Sequence, residues 1–374
     1  MQWLLAAMLA TVCLGAAAND EPPSVAPSVA PGAAAAPSSP ASAPQRTWMA
    51  VPRPTGRLAA ADIGLVVNTA DPYSVEVGAF YAQARKLAPE QILHVELPLR
   101  AALTPVEFDA LAERIASHFG PRTQALALAW RMPYAVACNS ITGALALGFD
   151  PALCTQTCAP SRRSPYFGSA SARPFTDYKM RPSMLLAAND VEAAKALIQR
   201  GVASDASLGR LGAPPVHAHF VATDDKVRSQ RAALFPPPGT LRPFNVEVHL
   251  DATPALVYAE RVLLYLTGRT RVERLDTVRF VPGALADHLT SAGGVLDGSQ
   301  PQMTALDWIA AGATASYGSV SEPCAHLQKF PHPQVLLLYY LAGSTALEAY
   351  WKSVAWPQQG LFIGEPLAAP FMRR

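Results

Sequence analysis

The sequence predicts one α/β domain built on a mostly parallel sheet with helices on both faces. Three observations predict it. Short apolar runs alternate with helix-spaced stretches from about residue 60 onward, the order that gives parallel strands and right-handed crossovers. The first run is continuously apolar, as a strand covered on both faces requires. No long polar linker divides the region, and 374 residues, 50% of them hydrophobic, suffice for one large core.

The elements follow in order. Residues 63–67 form the first strand. The turn Asn68-Thr69-Ala70-Asp71-Pro72 feeds a helix with proline in its first turn, and Val75, Ala79, Ala82 and Leu87 recur at helical spacing. Residues 92–97 are the next strand. Thr104-Pro105-Val106-Glu107 is a capping-box start, and Phe108, Leu111 and Ile115 give that helix its apolar face. A third strand covers 125–130. Residues 131–180 then break the rhythm with three cysteines and several prolines, a long irregular excursion. Beyond it, strands are expected over 183–188, 216–222, 244–250, 277–281 and 313–317. Helices are expected over 191–200, 224–234, 255–266, 303–310, 335–341 and 347–351.

The amino terminus has its own pattern. An apolar run over 3–14 leads into Ala16-Ala17-Ala18 and then Asn19-Asp20-Glu21, which predicts a signal peptide over 1–18. The run falls short of the roughly 20 residues a bilayer span needs, so no transmembrane segment is expected after removal of the signal. Residues 19–50 are rich in Pro, Ala and Ser and predict a disordered linker, leaving 51–374 as the folded domain. The expected location is the periplasm or the outside of the cell. A net charge of +2 without a Lys/Arg run argues against nucleic acid as the main partner; no other partner and no cofactor are implied.

Removal of the signal leaves Cys138, Cys154, Cys158 and Cys324, an even set that favours disulfides in an exported chain. Four cysteines allow three pairings. Cys154 is expected to bond to Cys158 or Cys138 and staple the excursion. Zinc at Cys154-x3-Cys158 is the rival reading, but no histidine lies close to the pair. Cys324 has His326 and His332 nearby in sequence and could act as a nucleophile; in an oxidising compartment the disulfide is favoured. His217 and His219, two apart on a strand, share a face. No third ligand is evident, so no metal is assigned.

Chemistry is expected in the last third, on loops beyond strand ends. Asp287, His288, Thr290 and Ser291 are the leading catalytic candidates, with Ser291 as nucleophile, His288 as base and Glu322 as an orienting carboxylate. The competing reading makes this segment a tight polar turn before Gly293-Gly294. Asn68, Asp71 and Ser74 follow the first strand, where open α/β sheets bind ligands, although these residue types also favour turns. A mostly parallel sheet would bring the Asn68, Asp287 and Glu322 loops to one edge.

Several segments together carry a resemblance: Val67-Asn68-Thr69 with Asp71-Pro72-Tyr73-Ser74-Val75, Arg181-Pro182-Ser183-Met184, Asp287-His288-Leu289-Thr290-Ser291, Glu322-Pro323-Cys324 and Gly364-Glu365-Pro366-Leu367. On these the chain resembles an uncharacterised family of exported bacterial proteins of about this length, over most of the mature region. A fainter similarity is to the gingipain-like cysteine peptidases, which implies a caspase-like three-layer fold. In that comparison residues 311–318 resemble their small-residue strand, Gly364-Glu365-Pro366 resembles their Gly-Asp-Pro segment, and the place of their cysteine falls near Thr290-Ser291. Their His-Gly dipeptide is absent from this chain. The resemblance implies a non-peptidase relative acting as a binding or surface protein; the alternative is a hydrolase with a pocket around His288 and Ser291.

Overall fold

The computed structural model describes residues 46–209 and 212–373. The expected signal peptide and most of the expected linker lie outside the described residues. Residues 46–50, expected as the linker's end, are instead docked. Arg46 donates to the Ala232 carbonyl at 2.8 Å, the Met49 N–H donates to Gln334 Oε1 at 2.8 Å, and Trp48 packs on the core. An aromatic ring gives this stretch apolar area to bury, which the Pro/Ala/Ser run lacks.

The chain first lays down β1 (Ile63–Asn68), α1 (Pro72–Arg85), β2 (Ile92–Val95), β3 (Ala102–Leu103), α2 (Pro105–His118) and β4 (Ala125–Leu128). Asp71 caps α1 by accepting from the Tyr73 N–H, and Thr104 and Glu107 form the expected reciprocal box at α2. The excursion holds β5 (Ala135–Val136), β6 (Asn139–Ser140), α3 (Ile141–Leu147), α4 (Ala152–Thr155) and α5 (Pro174–Tyr178). β3, β5 and β6 make a small separate sheet. Two disulfides pin the region: Cys138–Cys154, one of the two expected partners, and Cys158–Cys324. Cys154 and Cys158 therefore serve different bridges, which removes the Cys154-x3-Cys158 zinc reading.

After β7 (Ser183–Leu185) and α6 (Val191–Ser204) come β8 (Val216–Ala222), β9 (Gly239–Leu241), β10 (Val246–Ala252), β11 (Val262–Gly268) and β12 (Phe280–Leu289). The remaining elements are α7 (Ala305–Ala310), β13 (Ala315–Ser319), α8 (Pro333–Leu341), α9 (Ala346–Ser353) and β14 (Gly360–Gly364). Among the described residues, eleven strands form one sheet in the order β2-β1-β4-β7-β14-β13-β12-β11-β8-β10-β9. Within this sheet the β13–β14 and β10–β9 pairs are antiparallel and the other neighbours parallel. The fold is thus the expected mostly parallel α/β sheet. Its direction nevertheless reverses at the β13–β14 seam. β2, β1, β4, β7 and β14 run one way, and β13, β12, β11, β8 and β10 run the other.

Helices cover both faces. At β12 the side chain of His288 meets Trp308 of α7, while Asp287, the preceding residue, faces Tyr350 of α9 on the opposite side. Trp351 of α9 stacks on Phe362 of β14 with centroids 4.3 Å apart, and both are fully buried.

Three expected elements are corrected. Residues 255–266 are not a helix: Val262–Gly268 is a fully buried strand, since a short continuous apolar run fits a buried strand as well as a buried helix. Residues 224–234 form only a short 3₁₀ stretch, Arg228–Leu234. The strand expected over 277–281 runs on to Leu289, because the Pro282-Gly283 pair does not end it; Gly283 takes φ +88° inside the strand.

Candidate functional site

The length of β12 decides the fate of the central candidates. Asp287 and His288 lie within the strand, so their side chains leave opposite faces of the sheet. Asp287 is fully buried, with Oδ1 2.5 Å from an Arg231 terminal nitrogen that is itself only 2% exposed at its side chain. Burial pushes the Asp287 carboxyl above its ordinary range, against the pull of the guanidinium. Arg231 also donates to the Thr267 carbonyl at 2.8 Å. This is an internal ion pair stitching the segment after β8 to β11 and β12.

His288 is 1% exposed. Trp308 Nε1–H donates to its Nδ1 at 2.8 Å, and its Nε2 stands 3.0 Å from the Met303 carbonyl. The partners assign the tautomer: Nδ1 accepts and Nε2 carries the proton. Burial, the main cause, lowers the imidazole to about 4. Both nitrogens are committed inside the core, so the expected role of general base is corrected to that of a neutral, fully bonded core histidine.

This has a pH signature. Above about pH 6.5 the ring is neutral in both states. Below that, the unfolded chain takes a proton that the folded ring refuses until about pH 4. Stability therefore falls as pH drops through this window, by up to about 3 kcal/mol from this group. Equilibrium unfolding at stepped pH should show that portion missing in His288→Gln. Parallel curves for the two proteins would remove His288 from the account.

A cleft of about 290 Å³ opens at the carboxyl ends of β12 and β13. Its walls include Arg228, Gln230, Thr290, Ser291, Glu322 and Cys324. Thr290 Oγ1 donates to Gln302 Oε1 at 2.5 Å. Glu322 turns its carboxylate back on its own loop, accepting the Cys324 N–H at 2.7 Å. Cys324 and Ala325 both take positive φ, 56° and 54°, strain that the Cys158–Cys324 bridge holds in place. Beside the cleft the loop after β12 lies directly on β13: a Cβ on Gly318 would sit 2.1 Å from the Gly293 carbonyl carbon.

Of the expected catalytic residues, the cleft unites Ser291 and Glu322 and excludes Asp287 and His288. Cys324 is a disulfide cysteine and carries no thiolate. Arg228 was not legible as a wall residue. Its guanidinium pairs with Asp225 at 3.0 Å, and no motif marks it in the sequence.

Asn68, Asp71 and Ser74 lie elsewhere. Their strand β1 is five positions from β12, on the order of 24 Å at about 4.8 Å per strand. The reversal at the seam also sends the ends of β1 and β12 to opposite edges. Asn68 is buried and closes the turn: its Oδ1 accepts the Leu97 N–H at 2.8 Å, its side-chain amide donates to the Leu97 carbonyl at 3.1 Å, and Ser74 Oγ accepts the Asn68 N–H at 2.8 Å. Glu365 is likewise internal, clasped by Arg85 of α1 through Nε at 2.9 Å. His217 and His219 do share a face, and β10 brings Glu247 and His249 beside them.

No family model matches this chain, and no curated protein matches it. Among solved structures it is similar to gingipain R, an Arg-specific cysteine proteinase, at a TM-score of 0.41 and 12% identity, covering 84% of this chain and 79% of that one. A likeness this distant transfers no residue's role.

Proposed function

We propose that this chain is an exported binding or surface protein without peptidase chemistry, and that its contact site is the cleft beside Ser291 and Glu322. The observation that carries the reading is the engagement of His288: both ring nitrogens are bonded inside the core, so this histidine does not serve Ser291 as a base. Two further groups agree. Cys324 is oxidised in a disulfide, and Glu322 is bonded to its own loop. Export is supported by the signal-like amino terminus and by two disulfides, which persist in oxidising compartments.

The test is covalent. A fluorophosphonate probe, which reacts with base-activated serines, should leave the purified protein unlabelled. Labelling that disappears in Ser291→Ala would overturn the proposal and restore the hydrolase reading.

A further inference from the structure

The face of the sheet formed by β8 and β10 carries an unusual set of side chains. The two strands pair in parallel with His217 opposite Glu247 and His219 opposite His249. Residues two apart on a strand share a face, and so do directly opposed residues. His217, His219, Glu247, His249 and Asp251 therefore all project from one side. That side is partly open to water: the His217, Glu247 and His249 side chains are 25%, 39% and 36% exposed.

Three atoms converge. His217 Nδ1 lies 3.0 Å from His249 Nε2 and 3.4 Å from Glu247 Oε2, and His249 Nε2 lies 3.8 Å from Glu247 Oε2. Donor atoms held tetrahedrally at about 2.0–2.1 Å from a zinc ion stand about 3.3 Å apart. The three separations bracket that edge. We propose that His217, Glu247 and His249 bind a divalent transition-metal ion, zinc by the chemistry of the set, with a fourth position left to water or an external ligand. Two imidazoles and one carboxylate suit zinc rather than magnesium or calcium, which take oxygen ligands. Three protein ligands with an open position is the arrangement of exchangeable rather than closed structural sites.

The surroundings favour the same ion. His219 lies flat against His249, with centroids 4.6 Å apart and planes 15° apart, and is itself held by Asp251 at 2.9 Å. That stack restricts the plane in which His249 presents Nε2. Sequence alone showed His217-x-His219 but not its complement. Glu247-x-His249 lies some 30 residues on, and only the β8–β10 register joins the two pairs.

The experiment uses the full processed protein, stripped with chelator and carrying no histidine tag. Isothermal titration with zinc chloride should give one equivalent bound, and cobalt(II) should produce the intense visible band of a four-coordinate centre. His249→Ala and Glu247→Gln should each weaken zinc binding by at least about tenfold, the scale seen for lesser changes around metal ligands. Both residues lie on an open strand face, so circular dichroism should show both variants folded. No saturable zinc uptake by the wild-type protein would overturn the proposal, as would binding unchanged in both folded variants. Magnesium binding as tightly as zinc would overturn the assignment of the ion. The fluorophosphonate result does not bear on this site.

Discussion

Cys158→Ser/Cys324→Ser is expected to lower the unfolding free energy by about 5 kcal/mol, and Cys138→Ser/Cys154→Ser by about 3 kcal/mol. The bonds close loops of very different size, with sequence separations of 166 and 16. A cross-link stabilises mainly by restricting the unfolded chain, and the restriction grows with the logarithm of the loop. The long bridge also ties the excursion to the wall of the cleft. Guanidinium unfolding of both double variants and the parent, without reductant, checks the order. Equal losses, or a larger loss from the short bridge, would contradict it.

Arg231→Met should cost about 3–5 kcal/mol, because it leaves Asp287 buried without its counter-charge. The informative comparison is the double variant Arg231→Met/Asp287→Leu. Replacing a buried ion pair by apolar groups of similar volume is often close to neutral, so most of the loss should return. Urea unfolding at pH 7 of parent, single and double variants measures the coupling. A double variant no better than the single would mean that Arg231 acts through its bond to the Thr267 carbonyl and not through the charge on Asp287.

The parts of this fold that were legible in the sequence are those whose signals are local. β1 and β4 announce themselves as apolar runs, α1 by the proline in its first turn and α2 by its capping box. β14 was missed because glycines bound it at both ends, Gly360 and Gly364, and its partners are supplied from far away. β12 was cut short at Pro282-Gly283, and that single boundary turned Asp287 and His288 from opposite-facing strand residues into neighbours on a loop. Ser291 and Glu322 line one cleft because both follow strands that run side by side in the same direction. The opposite placement of Asn68 was not legible, because strand direction across a seam leaves no trace in hydropathy. The histidine–glutamate cluster is the extreme case: each half is an ordinary alternating strand, and its meaning lies in the register between them.

The place of β14 bears on how the molecule is made. It follows every other described strand in the chain, yet it fills the middle of the sheet, between β7 and β13. Until it emerges, the inner borders of both half-sheets expose unpaired backbone, the kind of edge that invites pairing with another chain. At about 5–20 residues per second, the chain between residues 185 and 360 takes on the order of ten to thirty-five seconds to appear. The sheet can therefore be completed only after β14 has emerged. β14 acts as a keystone, and its arrival after both half-sheets sets a waiting period during which their inner edges stay open.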